Sequence, residues 1–299
     1  MPGAVIVVAG LVDDEDVYRC AEIARELAAA SDGYTVEVLP MLEPDWEVYL
    51  AAAKCELGGA ATAHARSPLV LLHAGGVERY VGNLAALDAL AAAHLGRLAA
   101  PTADAHLLRE AARNGFVDLL RKTGSQFAFL DIQFGKEKPK KVVIELFVDV
   151  CPKTCEVFRK LCTGEDGQHA SGARLHYRGS PFHRVVKGAW VQSGDVLHGS
   201  GNGQAGDVFA DETFAVQFDA PGIVAMANSG PHTNSTQFFI TQGPLPYLDK
   251  QAVAFGRVVS GIKVLRFLDR VETANERPFE DVKIHDSGEV NLASGFGIH

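Results

Sequence analysis

A chain of 299 residues exceeds what one compact core usually needs and points to about two domains, and its 47% hydrophobic and 22% charged residues are those of a globular protein rather than a disordered or fibrous one. Split at residue 125, the charges number 10 basic and 17 acidic before it and 18 and 20 after it, so the net −9 divides as −7 and −2. Neither half carries the basic stripe of a nucleic-acid binder, and the lysines between positions 136 and 141 are interrupted by Glu137 and Pro139, as in a solvated loop.

The N-terminal run MPGAVIVVAG is too short to span a membrane and lacks the basic start and cleavage site of a secretory signal, so an intracellular, cytoplasmic protein with no membrane partner is expected. The five cysteines, at positions 20, 55, 151, 155 and 162, have neither zinc-site spacing nor disulfide-scaffold density and read as reduced, mostly buried thiols. In chain order the pattern predicts a strand over 4–9, an amphipathic helix over 14–30, a strand over 34–39 and a helix over 45–57. Pro68 then opens a strand to His73, Gly75 and Gly76 turn the chain, a short strand covers 78–81, and an Ala/Leu-rich helix opens at Asn83.

This α/β order resembles the thioredoxin and glutaredoxin fold. The chemistry of that family needs a low-pKa cysteine at the start of the first helix, where backbone N–H groups stabilise a thiolate. Here Leu11, Val12, Asp13 and Asp14 occupy that place and Cys20 falls more than a turn inside, so residues 1–100 read as a thioredoxin-like interaction domain without redox cysteines. Residues 101–125, with a helical pattern over 102–122, read as a fairly stiff helical connector.

From Phe127 the pattern changes to alternating strands, FAFLDIQF and KVVIELFV, followed by Pro152 in the first turn of a helix running to about Cys162. Short, glycine-punctuated strands continue almost to the end, as in a closed antiparallel β-barrel with two capping helices. The segments KVVIELFVDVCPKTCEVFRKLCTGEDG, FHRVVKGAWVQSGD, GIVAMANSGPHTNSTQFFIT and YLDKQAVAFGRVVSG stand in the order and at the spacings of the cyclophilin-type peptidyl-prolyl cis-trans isomerases. That resemblance covers nearly all of residues 126–299 and implies rotation of X-Pro bonds in polypeptides, the partners being proline-containing chains.

The uncatalysed rotation crosses a barrier of about 18–20 kcal/mol and takes tens of seconds or longer. Turnover near 10³ per second requires lowering it by about 6 kcal/mol. Twisting the amide localises a lone pair on the prolyl nitrogen, and a positioned cation stabilises only that twisted state, so no cofactor, metal or nucleophile is expected. The resemblance assigns the cation to Arg184, the amide that holds it to Gln192, and hydrogen bonding of the substrate backbone to Asn228 with Ala227. It gives the pocket wall to Phe239, contact with the preceding residues to Gln237, and the apolar surroundings to Met226, Leu248, Tyr247 and Trp190. His183 reads as a structural histidine, since rotation transfers no obligatory proton.

Four positions depart from the family pattern: Ala189 stands for a phenylalanine, Trp190 for a methionine, Tyr247 for a tryptophan and Ala252 for a histidine. A missing aromatic wall can cost a few kcal/mol of the roughly 6 needed, so weak isomerase activity is expected, with a structural, proline-peptide-binding role as the alternative. Trp190, the tail VETANERPFEDVKIHDSGEV and the upstream MLEPDWEVYL resemble a cyclophilin subfamily that carries an N-terminal extension, is doubted as an active isomerase and is associated with ciliated cells.

Overall fold

The computed structural model describes residues 3–31, 33–96, 104–170, 172, 174–203 and 207–293, and the chain divides into two compact units, Met1–Thr123 and Gly124–His299. In the first, β1 (Ala4–Leu11) leads to α1 (Glu15–Ala30), whose first turn is capped by the Asp14 carboxylate accepting from the Asp16 N–H at 3.0 Å. β2 (Tyr34–Met41) runs two residues beyond the expected strand. α2 (Glu43–Leu57) starts two residues early because Pro44 is accommodated in its first turn. β3 (Leu69–Ala74) and β4 (Val77–Gly82) form the hairpin over Gly75 and Gly76, and Asn83 caps α3 (Leu84–Leu95).

Among the described residues these strands form one sheet in the order β2-β1-β3-β4, with β1 parallel to β2 and antiparallel to β3. The period of two along β1 sorts its side chains between two helical layers. Ile6 and Val8 face the cluster built with Val17, Cys20, Ala24 and Leu27 of α1 and Leu87 and Ala91 of α3, while Val7 and Ala9 face Trp46 and Ala53 of α2. The connector helix predicted from residue 102 is α4 (Ala105–Thr123), its expected start lying outside the described residues. It buries Leu108, Ala112, Phe116, Val117 and Leu120, packs on α1 and belongs to the first unit. Gly115 permits the close approach, since a Cβ there would collide with the Tyr18 hydroxyl.

The second unit begins with β5 (Gln126–Phe134), β6 (Lys140–Leu146) and α5 (Pro152–Thr163), with Pro152 in the first turn of the helix. β7 (Arg184–Val186), β8 (Trp190–Ser193), β9 (Ile223–Met226), β10 (Phe238–Thr241) and β11 (Ala254–Ser260) follow. α6 (Ile262–Arg270), the small hairpin β12 (Thr273–Ala274) and β13 (Arg277–Pro278), and β14 (Val282–Glu289) complete it. Eight strands form one antiparallel sheet in the order β14-β5-β6-β11-β9-β10-β8-β7. The expected barrel is thus a curled sheet with β14 and β7 at its edges, and no ladder joins those two strands among the described residues. The segment before β7 bridges the seam instead: Phe182 N–H donates to the Val282 carbonyl at 2.8 Å, Ile284 N–H to Ser180 at 2.9 Å, and Gly179 N–H to Ile284 at 2.7 Å.

Both helices contribute to the enclosed core, α5 through Cys155, Phe158, Leu161 and Cys162, and α6 through Ile262, Val264, Leu265 and Leu268. Phe158 lies at its centre, with ring centroids 5.3 Å from Tyr177, 5.3 Å from Phe238 and 4.8 Å from Phe255. Glu212 caps α5 from a distant loop, accepting from the Lys153 and Thr154 N–H groups at 3.0 and 2.8 Å and from the Thr154 hydroxyl. Cys20, Cys151, Cys155 and Cys162 are buried and Cys55 is exposed, all as free thiols.

Candidate functional site

Strand register assembles the site. Arg184 of β7 pairs with Gln192 of β8, Gln192 pairs with Phe239 of β10, and Phe239 pairs with Ala225 of β9. Directly paired residues in an antiparallel sheet share a face, so Arg184, Gln192, Phe239 and Ala225 stand abreast on one surface. The next row, Val185, Val191, Ile240 and Val224, points into the enclosed core.

On the outer face Phe239 is buried in an apolar cluster with Phe218, Ile223, Ala225, Leu245, Ala252 and Ala254, against which Ala189, Trp190, Ala227 and Leu248 pack. Its ring stacks on Phe218 with centroids 5.8 Å apart and meets Trp190 at 6.0 Å. The Arg184 guanidinium carbon lies 5.2 Å from the centroid of the Trp190 ring, a cation–π distance. Trp190 therefore spans the space between the cation and the phenylalanine, beside the small Ala189.

Gln192 and Gln237 form a polar strip next to that pocket. Gln192 Nε2 donates to Gln237 Oε1 at 2.9 Å, and Gln237 Nε2 donates to the carbonyls of Gly201 and Gly203 at 3.0 and 2.9 Å. Those carbonyls are presented by a loop wound around one carboxylate. Asp195, 1% exposed, accepts the Leu197 and His198 N–H groups on Oδ1 and those of Ser200, Gly201 and Gly203 on Oδ2, at 2.8–3.2 Å. Burial alone would raise its pKa, but these N–H groups outweigh burial and hold the carboxyl below its usual range. Gly201, at φ +90°, lies against the His183 ring where a Cβ would collide. His183 is buried, and burial lowers its pKa and keeps the imidazole neutral.

Several sequence-predicted residues sit differently from expectation. Met226 is fully buried in the enclosed core, paired with Phe238. It cannot floor the Phe239 pocket, because it is one position out of phase with Ala225 and Ala227. Tyr247, in the 3₁₀ turn Pro246–Leu248, is 57% exposed, whereas its neighbour Leu248 joins the outer cluster. The Ala227 N–H is spent on the Gln237 carbonyl at 2.9 Å. The Asn228 side chain donates to the Gln251 carbonyl at 2.8 Å and accepts from the Gly230 N–H at 3.3 Å, so its amide fixes the local turn.

No hydrogen bond joins Gln192 to Arg184 among the described residues; the Gln192 Nε2 is directed to Gln237. Arg184 Nε donates instead to Glu276 Oε2 at 2.6 Å, and the Val185 N–H donates to the Glu276 carbonyl at 2.6 Å. Sequence reasoning missed Glu276, which lies 92 positions from Arg184, inside the tail VETANERPFEDVKIHDSGEV, where nothing marks it as the arginine's partner. It missed equally the stacking of Phe218 on Phe239. Among the described residues no cluster of His, Cys, Asp and Glu is arranged to hold a metal ion, and no helix is long and apolar enough to cross a membrane.

Residues 129–289 match the family model described as cyclophilin type peptidyl-prolyl cis-trans isomerase/CLD. A human protein named "Probable inactive peptidyl-prolyl cis-trans isomerase-like 6" is 38% identical over 255 residues, which cover 84% of this chain and 80% of that protein. The mouse protein of the same name is 34% identical over 283 residues, 91% of this chain and 87% of its own length. A bovine one is 47% identical over 174 residues, 57% of each.

Proposed function

We propose, for a chain that belongs to the cyclophilin-type peptidyl-prolyl cis-trans isomerase family, that the face carrying Arg184, Trp190, Gln237 and Phe239 binds proline-containing polypeptides and isomerises their X-Pro bonds weakly. The observation that carries this reading is the juxtaposition of a permanently charged guanidinium, 5.2 Å from Trp190, with the apolar pocket of Phe239 on the far side of that indole. A prolyl ring seated against Trp190 and the edge of the Phe239 pocket lies on the same face of the sheet as Arg184, and the cation favours the twisted amide over both planar ones. The carbonyl of Ala227 offers a polar contact to the extended chain before the proline, while Gln237, tied to Gln192 and to the Gly201 and Gly203 carbonyls, shapes the floor beside it.

The weakness follows from the same face. Ala189 supplies a methyl group where the family has an aromatic wall, Ala252 supplies another where it has an imidazole, and Tyr247 is turned to solvent. These changes, and the words "probable inactive" in the relatives' names, favour a second reading in which the groove is kept with little catalysis. In that reading the chain is a proline-peptide-binding or structural subunit of a larger cytoplasmic assembly, ciliary or axonemal. Its acidic first unit is then a thioredoxin-like interaction domain. The strand order β2-β1-β3-β4 with a parallel β1–β2 pair supports that fold, and the absence of a thiol at the start of α1 leaves it without reductase chemistry.

Two-dimensional NMR exchange on a short X-Pro peptide tests the isomerase reading at low turnover. The wild-type chain is expected to raise the exchange rate above the uncatalysed one and Arg184→Ala to abolish the gain. Arg184 is 43% exposed, so the unfolding midpoint should stay unchanged. Exchange that does not depend on Arg184 refutes the mechanism.

A further inference from the structure

The residue facing Arg184 is a charged one in an unfavourable backbone conformation. The hairpin β12–β13 turns over Asn275 and Glu276, both at positive φ, +48° and +66°. A two-residue turn of this kind favours Asn followed by glycine, and the Cβ of a glutamate at the second position is disfavoured there. The hairpin nevertheless carries glutamate there. Its main-chain carbonyl is tied to Val185 and its carboxylate to Arg184, so residue 276 is fastened to β7 at two points.

We propose that Glu276 is a positioning residue of the isomerase site, holding the Arg184 guanidinium in place of Gln192 and offsetting its charge so that turnover stays low. This rests on the isomerase reading of the groove. When the amide twists, the developing lone pair on nitrogen is stabilised by net positive charge nearby. A carboxylate 2.6 Å from Nε reduces the field at the pocket from that of a cation to that of an ion-pair dipole. A neutral amide in the same place would hold the guanidinium without this cost. The planar ground state carries no such lone pair, so the effect falls on kcat and leaves peptide affinity alone. Both partners are 43–44% exposed, and solvent screening limits the gain from removing the charge to about two- to fivefold.

The test uses the full chain and the same X-Pro peptide. Glu276→Gln is expected to raise the exchange rate at saturating peptide about two- to fivefold with an unchanged Kd. Glu276→Asp should remain at the wild-type rate, and Arg184→Ala combined with Glu276→Gln should fall to the uncatalysed rate. Glu276→Gly removes the carboxylate while giving the turn its favoured residue, so a loss of hairpin structure cannot account for a rate change. Exchange no faster than wild type in both Glu276→Gln and Glu276→Gly overturns the assignment. Absence of peptide-induced chemical-shift changes in every variant removes instead the groove reading beneath it.

Discussion

Asp195→Asn should destabilise the second unit by about 3 kcal/mol at neutral pH. The substitution preserves shape and changes only charge and one acceptor. An asparagine oriented with its oxygen toward the Leu197 and His198 N–H groups turns an NH₂ toward those of Ser200, Gly201 and Gly203. Three donors, one buried and two partly buried, then face donors, and a buried one costs about 1–3 kcal/mol when left unmet. Because the three lie on one short loop, relaxation is shared and their costs do not add fully. The chain has two tryptophans, Trp46 in the first unit and Trp190 in the second, so urea unfolding followed by fluorescence in a Trp46→Phe background isolates the relevant transition. The carboxyl is held below its usual range in the folded state, so its contribution is present above the unfolded pKa, near 4, and is lost as the pH falls through the folded value. Wild-type and variant stabilities should therefore begin to converge as the pH falls below about 4. The loop also presents the Gly201 and Gly203 carbonyls to Gln237, so peptide binding should weaken together with stability. A neutral-pH difference below about 1 kcal/mol, or one that persists unchanged at pH 3, would refute the reasoning.

Trp190→Ala should weaken X-Pro peptide binding about tenfold by NMR titration, since the indole fills the space between Arg184 and Phe239. Ala189→Phe alone should not raise the exchange rate, because a new ring competes with Trp190 for one volume; a gain of activity would show that the wall is open. Iodoacetamide on the native chain should label Cys55 alone, with Cys20, Cys151, Cys155 and Cys162 reacting only after unfolding, as read by peptide mass spectrometry. Burial raises the thiol pKa of Cys20 and Cys162 as well as shielding them, and native labelling of either would contradict the packing.

Local signals carried much of the architecture. Asp14 and Asn83 cap helices where a capping residue precedes an apolar-periodic stretch, and Pro152 opens α5 as its fixed φ allows. α2 begins two residues before the start its sequence predicts, and its cap, Leu42, offers no side-chain acceptor that would mark the place. At the candidate site, positions supplied by motif were legible, but partners chosen by the tertiary structure were not. FHRVV points to Arg184, yet nothing near it in sequence points to Glu276. The segment GIVAMANSG contains Met226, and only the pairing of Ala225 with Phe239 reveals that the methionine belongs to the opposite face. Asn228 and the Ala227 N–H look available for a ligand until the fold shows them used within the turn.

The strict alternation along β9 and β10 separates two tasks that many proteins load onto the same side chains. Val224, Met226, Phe238 and Ile240 hold the unit together from one side of the sheet, while Ile223, Ala225 and Phe239 shape the surface offered to a peptide on the other. Changes at Ala189, Trp190 or Ala252 can therefore redraw the groove without touching the ring stack around Phe158. A lineage on such a scaffold is free to drift away from catalysis, or toward a new peptide, while its folded population remains intact. The same separation makes this face suitable for directed evolution, since libraries confined to the outer positions begin from a core that does not need to be rebuilt.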